Sequence, residues 1–239
     1  KDILWHKRFI PFGTVISGTE IANVYYGNFI PKTYIFYEYD KNVVENILKR
    51  QADIINKINT KDPRYTNVDS RLFLLLDDCL FDDHWTRDKC IRSIFMNGRH
   101  YNILFMVTMQ YPLGIPPALR TNIDFTFIMR EPYVSNRKKI YEQYAGCFPN
   151  FNIFCQTMDS LEQFECLVID NNSASNKLED QAYWFKADIR EDFKMGSRQF
   201  WQYHEENYNT VKDSNDSRHE EFNMKKFHSN KYNININKL

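Results

Sequence analysis

The adjacent carboxylates Asp77 and Asp78 have the clearest potential chemistry in this sequence. They follow five consecutive large apolar residues at 72–76, a run typical of a central parallel strand buried on both faces. Acids at the carboxyl end of such a strand lie where open α/β sheets bind ligands. One carboxylate would hold a hydrated Mg²⁺ and the other would polarise an attacking water. The alternative is a buried strand that simply meets water at an Asp-Asp turn.

Further polar residues stand near the ends of other apolar segments. Gln110 follows the apolar run at 102–109, where a glutamine would hold the attacking water or sense a γ-phosphate; the alternative is a solvated strand end. An arginine could stabilise the charge of a phosphoryl transition state, in cis or from a neighbouring subunit. The candidates are Arg99 and Arg120, followed by Arg130. The alternative for each is a surface arginine paired with a carboxylate.

Two other groups of residues suggest contact with nucleic acid, each with a simpler alternative. The basic cluster Arg137-Lys138-Lys139 would touch a DNA backbone, or it forms a solvated helix face. His84 and Trp85 would stack on a base, or the indole is buried in the core.

Alternating strands and helices must position these side chains. The pattern predicts a mostly parallel α/β sheet with crossover helices, with strands at 14–17, 34–37, 72–76, 102–109 and 123–129. The last three would bring the two acids, Gln110 and Arg120 to one edge of the sheet. Asp40 would cap a long amphipathic helix. Beyond residue 133 we expect two helices and a hairpin-like extension with strands at 164–169 and 182–186.

Composition limits the class of protein. At 239 residues and 43% hydrophobic, the chain can bury a core as one domain with extensions. Lys plus Arg equals Asp plus Glu at 31 each, which excludes a uniformly basic, DNA-coating surface but not a local groove or a pore ring built from several subunits. The five cysteines form no Cys-x-x-Cys pair, as expected in a reducing compartment. No apolar stretch approaches the ~20 residues that span a bilayer, so we expect a soluble intracellular protein without membrane insertion.

The sequence lacks a recognisable phosphate-binding loop. Only seven glycines occur, and none belongs to a Gly-x-x-x-x-Gly-Lys-Ser/Thr motif. The turn Ser17-Gly18-Thr19 has no lysine and is too short to wrap phosphates. The first residue is Lys1, and the residues after it resemble the middle of a helix, so we expect that the true amino terminus is missing.

Six segments, taken together, resemble the genome-packaging ATPases of nucleocytoplasmic large DNA viruses, a branch of the FtsK–HerA motor superfamily. In family order they are 10–20, 74–79, 94–100, 108–112, 117–122 and 178–184. The most specific parts are Asn-Gly-Arg-His at 97–100 and Thr-Met-Gln at 108–110, beside the Asp-Asp strand.

The resemblance implies a RecA-like P-loop NTPase core in a homo-oligomeric ring. Such a ring would use ATP and Mg²⁺ to pull double-stranded DNA into a capsid, with capsid or membrane proteins of the virion as partners. The protein would lie in the host cell cytoplasm (the viral factory), in the virion, or in both. We expect a partial core at 1–132 without its first P-loop strand, a C-terminal α+β extension at 133–210 and a disordered tail at 211–239.

The resemblance also implies residue roles. Asp77 becomes the metal acid of a Walker B strand, Asp78 the catalytic acid and Gln110 the sensor glutamine. Arg99 takes the place of the arginine that precedes the sensor strand, a candidate for a finger acting on a neighbouring subunit. In relatives the phosphate loop lies just upstream of a segment like that at 2–5, so we expect that these 239 residues alone neither bind ATP tightly nor hydrolyse it.

Two alternatives to the packaging motor stay open at this point. One is a general DNA translocase or helicase of the same superfamily. The other is a non-catalytic scaffold or interaction protein derived from such a motor.

Overall fold

Parallel strands form the first of two β-sheets in the computed structural model, which describes residues 1–78 and 85–208. The strands are β1 (Phe12–Ser17), β2 (Ile35–Phe36), β3 (Leu72–Asp77) and β4 (Ile103–Thr108). Their order across the sheet is β2-β1-β3-β4, and every pairing is parallel. The predicted α/β fold with a parallel sheet is confirmed, and β3 has neighbours on both sides.

Helices lie before, between and after these strands and cover the sheet. They are α1 (Asp2–His6), α2 (Glu20–Asn23), α3 (Lys41–Asn59), α4 (Lys89–Asn97) and α5 (Pro117–Arg120). The predicted cap of α3 is confirmed, because the Asp40 carboxylate accepts the backbone N–H of Asn42 at 2.7 Å and so satisfies a donor that the helix leaves free. Asp88 caps α4 in the same way through the backbone N–H of Cys90 at 2.8 Å.

Side chains of β3 alternate between two hydrophobic clusters, one on each face of the sheet. Leu72, Leu74 and Leu76 pack in the cluster that contains buried residues of α3, α4 and α5. Phe73 and Leu75 pack in the opposite cluster, which includes Leu4 of α1 and Phe200 near the carboxyl end. A strand with two buried faces explains the unbroken apolar run, and each such side chain contributes about 1.5–3 kcal/mol of burial free energy.

The second sheet is antiparallel and has the order β5-β6-β7. Its strands are β5 (Phe125–Met129), β6 (Glu165–Asp170) and β7 (Ala182–Lys186), and its helices are α6 (Val134–Tyr144) and α7 (Phe151–Ser160). One face packs against both helices around Phe154 and Met158. The predicted hairpin-like extension is confirmed as β6 and β7.

The expectation that the strand at 123–129 joins the parallel sheet is wrong. This strand, β5, pairs antiparallel with β6 instead. Periodicity identifies an apolar strand but not its partner, which depends on hydrogen-bonding edges brought together by the tertiary fold. By residue number β5 falls within the expected core at 1–132, yet it pairs with a strand of the expected extension.

The segment that precedes α8 (Arg198–Asn207) returns to the first sheet. Backbone N–H groups of Met195, Gly196 and Ser197 donate to the carbonyls of Phe29, Arg8 and Pro11 at 2.8–2.9 Å. This packing, which the sequence did not reveal, adds Met195 and Phe200 to the hydrophobic cluster that contains Phe73 and Leu75. The predicted disordered tail at 211–239 lies outside the described residues.

Two other expectations concern the whole chain. Within residues 1–78 and 85–208, no helix combines the length and apolarity needed to cross a membrane. The four described cysteines, at positions 90, 147, 155 and 166, are free thiols. Cys79 lies outside the described residues.

Candidate active site

Side chains from three adjacent strands meet at the carboxyl edge of the parallel sheet. Ser17 ends β1, Asp77 ends β3 and Thr108 ends β4, and the strand register aligns the three side by side. Ser17 Oγ donates to Asp77 Oδ2 at 2.9 Å, and Thr108 Oγ1 donates to Asp77 Oδ1 at 2.5 Å. The carboxylate of Asp77 is therefore held from both sides by neighbouring hydroxyls.

A third hydroxyl reaches Asp77 from the loop that follows α2. The buried phenol of Tyr26 lies beside the Asp77 carboxylate, and burial together with this negative charge raises the pKa of Tyr26, so that its hydroxyl stays protonated. The loop is fixed by Glu20, which is only 5% exposed. Its carboxylate accepts the backbone N–H groups of Tyr25, Tyr26 and Gly27 at 2.9, 2.8 and 2.7 Å.

Asp78 turns the chain sharply at the end of β3. Its φ of +50° lies in the left-handed region, which non-glycine residues seldom adopt and which aspartate tolerates better than most. Its backbone N–H donates to Thr108 Oγ1 at 3.1 Å, and its Oδ2 accepts Gln110 Nε2 at 2.6 Å. The structure thus brings Asp77, Asp78 and Gln110 together, with Gln110 exposed to solvent.

Arg99 lies far from these acids in its own chain. Arg99 precedes the amino end of β4, whereas Thr108, at the carboxyl end of β4, pairs with Asp77. The two ends of this strand are about five residues apart, which at 3.3 Å per residue is roughly 16 Å. Arg99 forms an ion pair with Asp124 and donates from Nη2 to Asn172 Oδ1 at 3.0 Å. Its position does not favour a role in cis, and a role for Arg99 in catalysis stays a prediction.

Arg120 ends α5 and does not share the edge predicted for it, because β5 belongs to the other sheet. Its guanidinium carbon lies 5.6 Å from the ring centre of Tyr144, and its Nη1 is buried without a hydrogen-bond partner. The side chain lines a cavity of about 520 Å³ together with Thr121 and Gln181. A catalytic role for Arg120 stays a prediction, and Arg130 is exposed.

The structure separates the residues considered for nucleic-acid contact. Arg137 is only 9% exposed, with Nη1 2.7 Å from Asp159 Oδ1, so it does not present its charge to DNA. Lys138 is exposed, and Lys139 Nζ lies 5.2 Å from the ring centre of Tyr111. Trp85 is fully buried, as the simpler alternative held, and His84 lies outside the described residues.

The predicted site residues did not include four that the structure places around Asp77, namely Ser17, Thr108, Tyr26 and Glu20. Ser17 and Thr108 carry the same signal that identified Asp77, a polar residue closing an apolar strand. Tyr26 and Glu20 carry no such signal, because only the folded loop brings them toward β3.

The donor set at this edge suits a hard divalent cation. Carboxylate, hydroxyl and amide oxygens are the ligands that Mg²⁺ prefers, and it usually keeps several waters beside one or two carboxylates. Among the described residues there is no group of three or more His, Cys, Asp or Glu side chains that could hold a metal ion. Asp77 and Asp78 therefore fit a cation that takes its remaining ligands from water and a bound ligand.

Together these features define an open α/β protein in which two acidic side chains lie at the carboxyl ends of the parallel strands, where proteins of this class bind ligands. Residues 7–141 match the family model described as poxvirus A32 protein. The chain belongs to the poxvirus A32 protein family, which confirms the family resemblance read from the sequence.

Similar proteins occur in other large DNA viruses. An uncharacterized protein of Acanthamoeba polyphaga mimivirus is 38% identical over 211 residues, which cover 87% of this chain and 74% of that protein. An uncharacterized protein of invertebrate iridescent virus 6 is 36% identical over 213 residues, covering 87% of this chain and 79% of that protein.

Solved structures of distant sequence are also similar. The genome packaging NTPase B204 of Sulfolobus turreted icosahedral virus 2, in complex with AMPPCP, gives a TM-score of 0.47 at 12% identity, over 79% of this chain and 87% of that chain. B204 of Sulfolobus turreted icosahedral virus, described as a DNA-packaging ATPase, gives a TM-score of 0.49 at 11% identity. The match covers 78% of this chain and 87% of that chain. The strand order β2-β1-β3-β4, with every pairing parallel, defines the fold of this chain.

Proposed function

We propose that this protein belongs to an ATP-driven motor that moves double-stranded viral DNA into a capsid. The observation that carries the proposal is the convergence of Asp77, Asp78 and Gln110 at the carboxyl edge of a parallel sheet, in a member of the poxvirus A32 protein family. Two acids and a glutamine at that edge are among the groups that hydrolysis of a nucleoside triphosphate requires.

Each of these residues has a role that follows from its contacts. Asp77 would hold Mg²⁺, which when bound neutralises charge on the phosphates. Asp78 would accept a proton from the attacking water or polarise it. Gln110, hydrogen-bonded to Asp78 Oδ2, would orient that water and relay the state of the γ-phosphate to the rest of the subunit.

A phosphate-binding loop must complete this site, and none occurs within the 239 residues. The position of β4 supports a place for it: within the described residues β4 is the last strand of its sheet, and its apolar residues from Leu104 to Val107 are only partly buried. A strand paired with this open edge would bring its own carboxyl end, and the loop after it, beside Thr108 and Gln110.

A motor of this kind would work as a homo-oligomeric ring. Arg99 would reach the nucleotide of the adjacent subunit, after exchanging Asp124 and Asn172 for phosphate oxygens. The ring would hold DNA through phosphate contacts without sequence preference and would dock on capsid or membrane proteins of the virion, in the viral factory of the host cytoplasm or in the virion.

The test is ATP turnover by the complete gene product with Mg²⁺, with and without double-stranded DNA. Asp78→Asn should lower turnover by about 10²–10⁴-fold, the usual contribution of a general base, while preserving the fold, because asparagine also tolerates the left-handed conformation. Asp69→Asn is the matched control, since Asp69 is an exposed acid paired with Arg71 at the opposite end of β3.

Other outcomes favour the alternatives. Robust hydrolysis by the 239 residues alone, abolished by Asp78→Asn, would contradict the need for an external phosphate loop. A complete gene product without turnover would support the non-catalytic scaffold. DNA-stimulated turnover without filling of capsids would support a general translocase or helicase.

A further inference from the structure

Ser17 at the end of β1 and Thr108 at the end of β4 each donate a hydroxyl to Asp77, and the buried phenol of Tyr26, in the loop after α2, lies beside the same carboxylate. We propose that these are positioning residues that fix the Asp77 carboxylate for a divalent cation and thereby set the cation affinity of the site. The proposal rests on the proposed function in one respect: it takes Asp77 as the metal acid.

The hydrogen-bonding capacity of Asp77 shows how strongly it is constrained. An ionised carboxylate offers about four lone-pair sites, and the Ser17 and Thr108 hydroxyls occupy one site on each oxygen. Ser17 and Thr108 hold opposite oxygens from opposite sides, so neither oxygen can rotate without breaking a bond.

Thr108 has a second contact, with the backbone of the neighbouring acid. Its Oγ1 donates to Asp77 and accepts the backbone N–H of Asp78. One hydroxyl therefore fixes the spacing of the two acids as well as the orientation of the first. Since each bond uses a different part of the hydroxyl, proton and lone pair, the two contacts coexist.

Tyr26 is held in place by its own support. Glu20 accepts three consecutive backbone N–H groups around Tyr26, and both residues are buried. Because Glu20 fixes the backbone that carries this buried phenol, little ordering of the loop remains when a cation binds. Partners of this kind around a metal ligand typically contribute 10–100-fold in metal affinity.

The experiment measures Mn²⁺ binding to the complete gene product by electron paramagnetic resonance, with a non-hydrolysable ATP analogue, and separately the Mg²⁺ concentration that gives half-maximal turnover. Thr108→Val removes the hydroxyl at constant shape, Tyr26→Phe removes only the phenol oxygen and Ser17→Ala removes only the hydroxyl. Each should weaken Mn²⁺ binding and raise the Mg²⁺ midpoint by about tenfold or more. Thr108→Ser, which keeps the hydroxyl, should restore both values.

Tyr39→Phe is the matched control. The Tyr39 hydroxyl also donates to a carboxylate, Asp88 Oδ2 at 2.8 Å, and its pKa is likewise raised by burial and that bond. Its loss should leave both metal measurements unchanged, although it lowers thermal stability.

Two results would overturn the proposal: folded Ser17→Ala and Tyr26→Phe proteins with wild-type metal binding, or a Thr108→Ser protein as impaired as Thr108→Val. Failure of the proposed function looks different, because wild-type protein would then hydrolyse no ATP. Mn²⁺ binding would still decide the positioning roles in that case, and its absence from wild type would contradict both proposals.

Discussion

Asp78 combines an uncommon backbone conformation with two polar contacts. A non-glycine residue at φ +50° costs of order 1–3 kcal/mol in most contexts, and here the surroundings hold it, through Thr108 on the backbone side and Gln110 on the side-chain side. Strain of this kind concentrates at functional sites. Aspartate suits this position in two ways: its carboxylate makes the polar contact with Gln110, and its backbone tolerates the left-handed conformation.

Arg99 gives a prediction about catalysis between subunits. Arg99→Ala in the complete gene product should sharply reduce ATP turnover while leaving the fold and nucleotide binding intact, because its ion pair with Asp124 is largely exposed, with 70% of the arginine side chain accessible, and exposed pairs add little stability. Turnover assays and thermal melting check this. Arg71→Ala, which breaks a similar exposed pair with Asp69, is the control; wild-type turnover in Arg99→Ala would make Arg99 structural.

Cysteine reactivity gives a second prediction for single residues. Burial raises the pKa of the Cys166 thiol to about 11, and thiolate is the reactive form. In native protein at pH 8, iodoacetamide should label the partly exposed Cys155 well before Cys166, as peptide mass spectrometry would show. Because the unfolded chain ionises this thiol at a lower pH, the contribution of Cys166 to stability should be lost as pH rises toward 11.

At the level of elements, the connection from β1 to β2 is shaped by one buried acid. Glu20 stands at the start of the short helix α2 and accepts the N–H groups of the loop that follows. These donors have no partner in a regular helix or strand, and buried N–H groups need one. The loop in turn carries Tyr26 to Asp77, so local backbone satisfaction and the geometry of the site are linked.

Glu20→Ala should therefore destabilise the protein strongly. The substitution leaves backbone donors without acceptors, each worth about 1–3 kcal/mol when buried, so a loss of about 3 kcal/mol is expected. Urea unfolding of the 239-residue chain measures it. Glu45→Ala, at a partly exposed acid paired with Lys49 along α3, should cause little change; equal effects of the two substitutions would contradict the role given to Glu20.

At the scale of the whole molecule, distant parts of the chain tie the two sheets and their helices together. Arg99 before β4 bonds to Asp124 before β5, and the Tyr144 hydroxyl of α6 donates to the Pro112 carbonyl at 2.7 Å. The segment at 195–200 returns to the first sheet, where Met195 and Phe200 are fully buried. The carboxyl-terminal part of the described chain is thus part of the core that supports the site.

A substitution at Gly196 tests how the segment at 195–200 packs on the first sheet. Its φ is +88°, and an added Cβ would lie 2.9 Å from the Pro11 carbonyl oxygen and even closer to the Phe200 ring. Gly196→Ala should lower the free energy of unfolding by about 2 kcal/mol or more, measured by denaturant titration. Gly146→Ala meets nothing within 4 Å and should be neutral or slightly stabilising. A stable Gly196→Ala protein would show that the segment docks differently.

The sequence by itself determined most of the strands and helices and the polar side chains that meet at the candidate site. An apolar run ending in two acids, a second ending in Thr-Met-Gln and the capping residue Asp40 are local patterns, and local patterns fix strands, helix starts and the types of side chain at a strand end. The family followed from the same residues. These features depend on neighbours along the chain, so they could be predicted.

The tertiary structure decided which strand pairs with which and what surrounds Asp77. Strand β5 joins β6, Arg99 stands at the far edge of the sheet from the acids of its own chain, and Tyr26 reaches Asp77 across a gap of 51 sequence positions, from 26 to 77. Each depends on contacts between residues far apart in sequence. Periodicity carries no information about such partners, because any apolar strand edge can hydrogen-bond with any other until packing selects one.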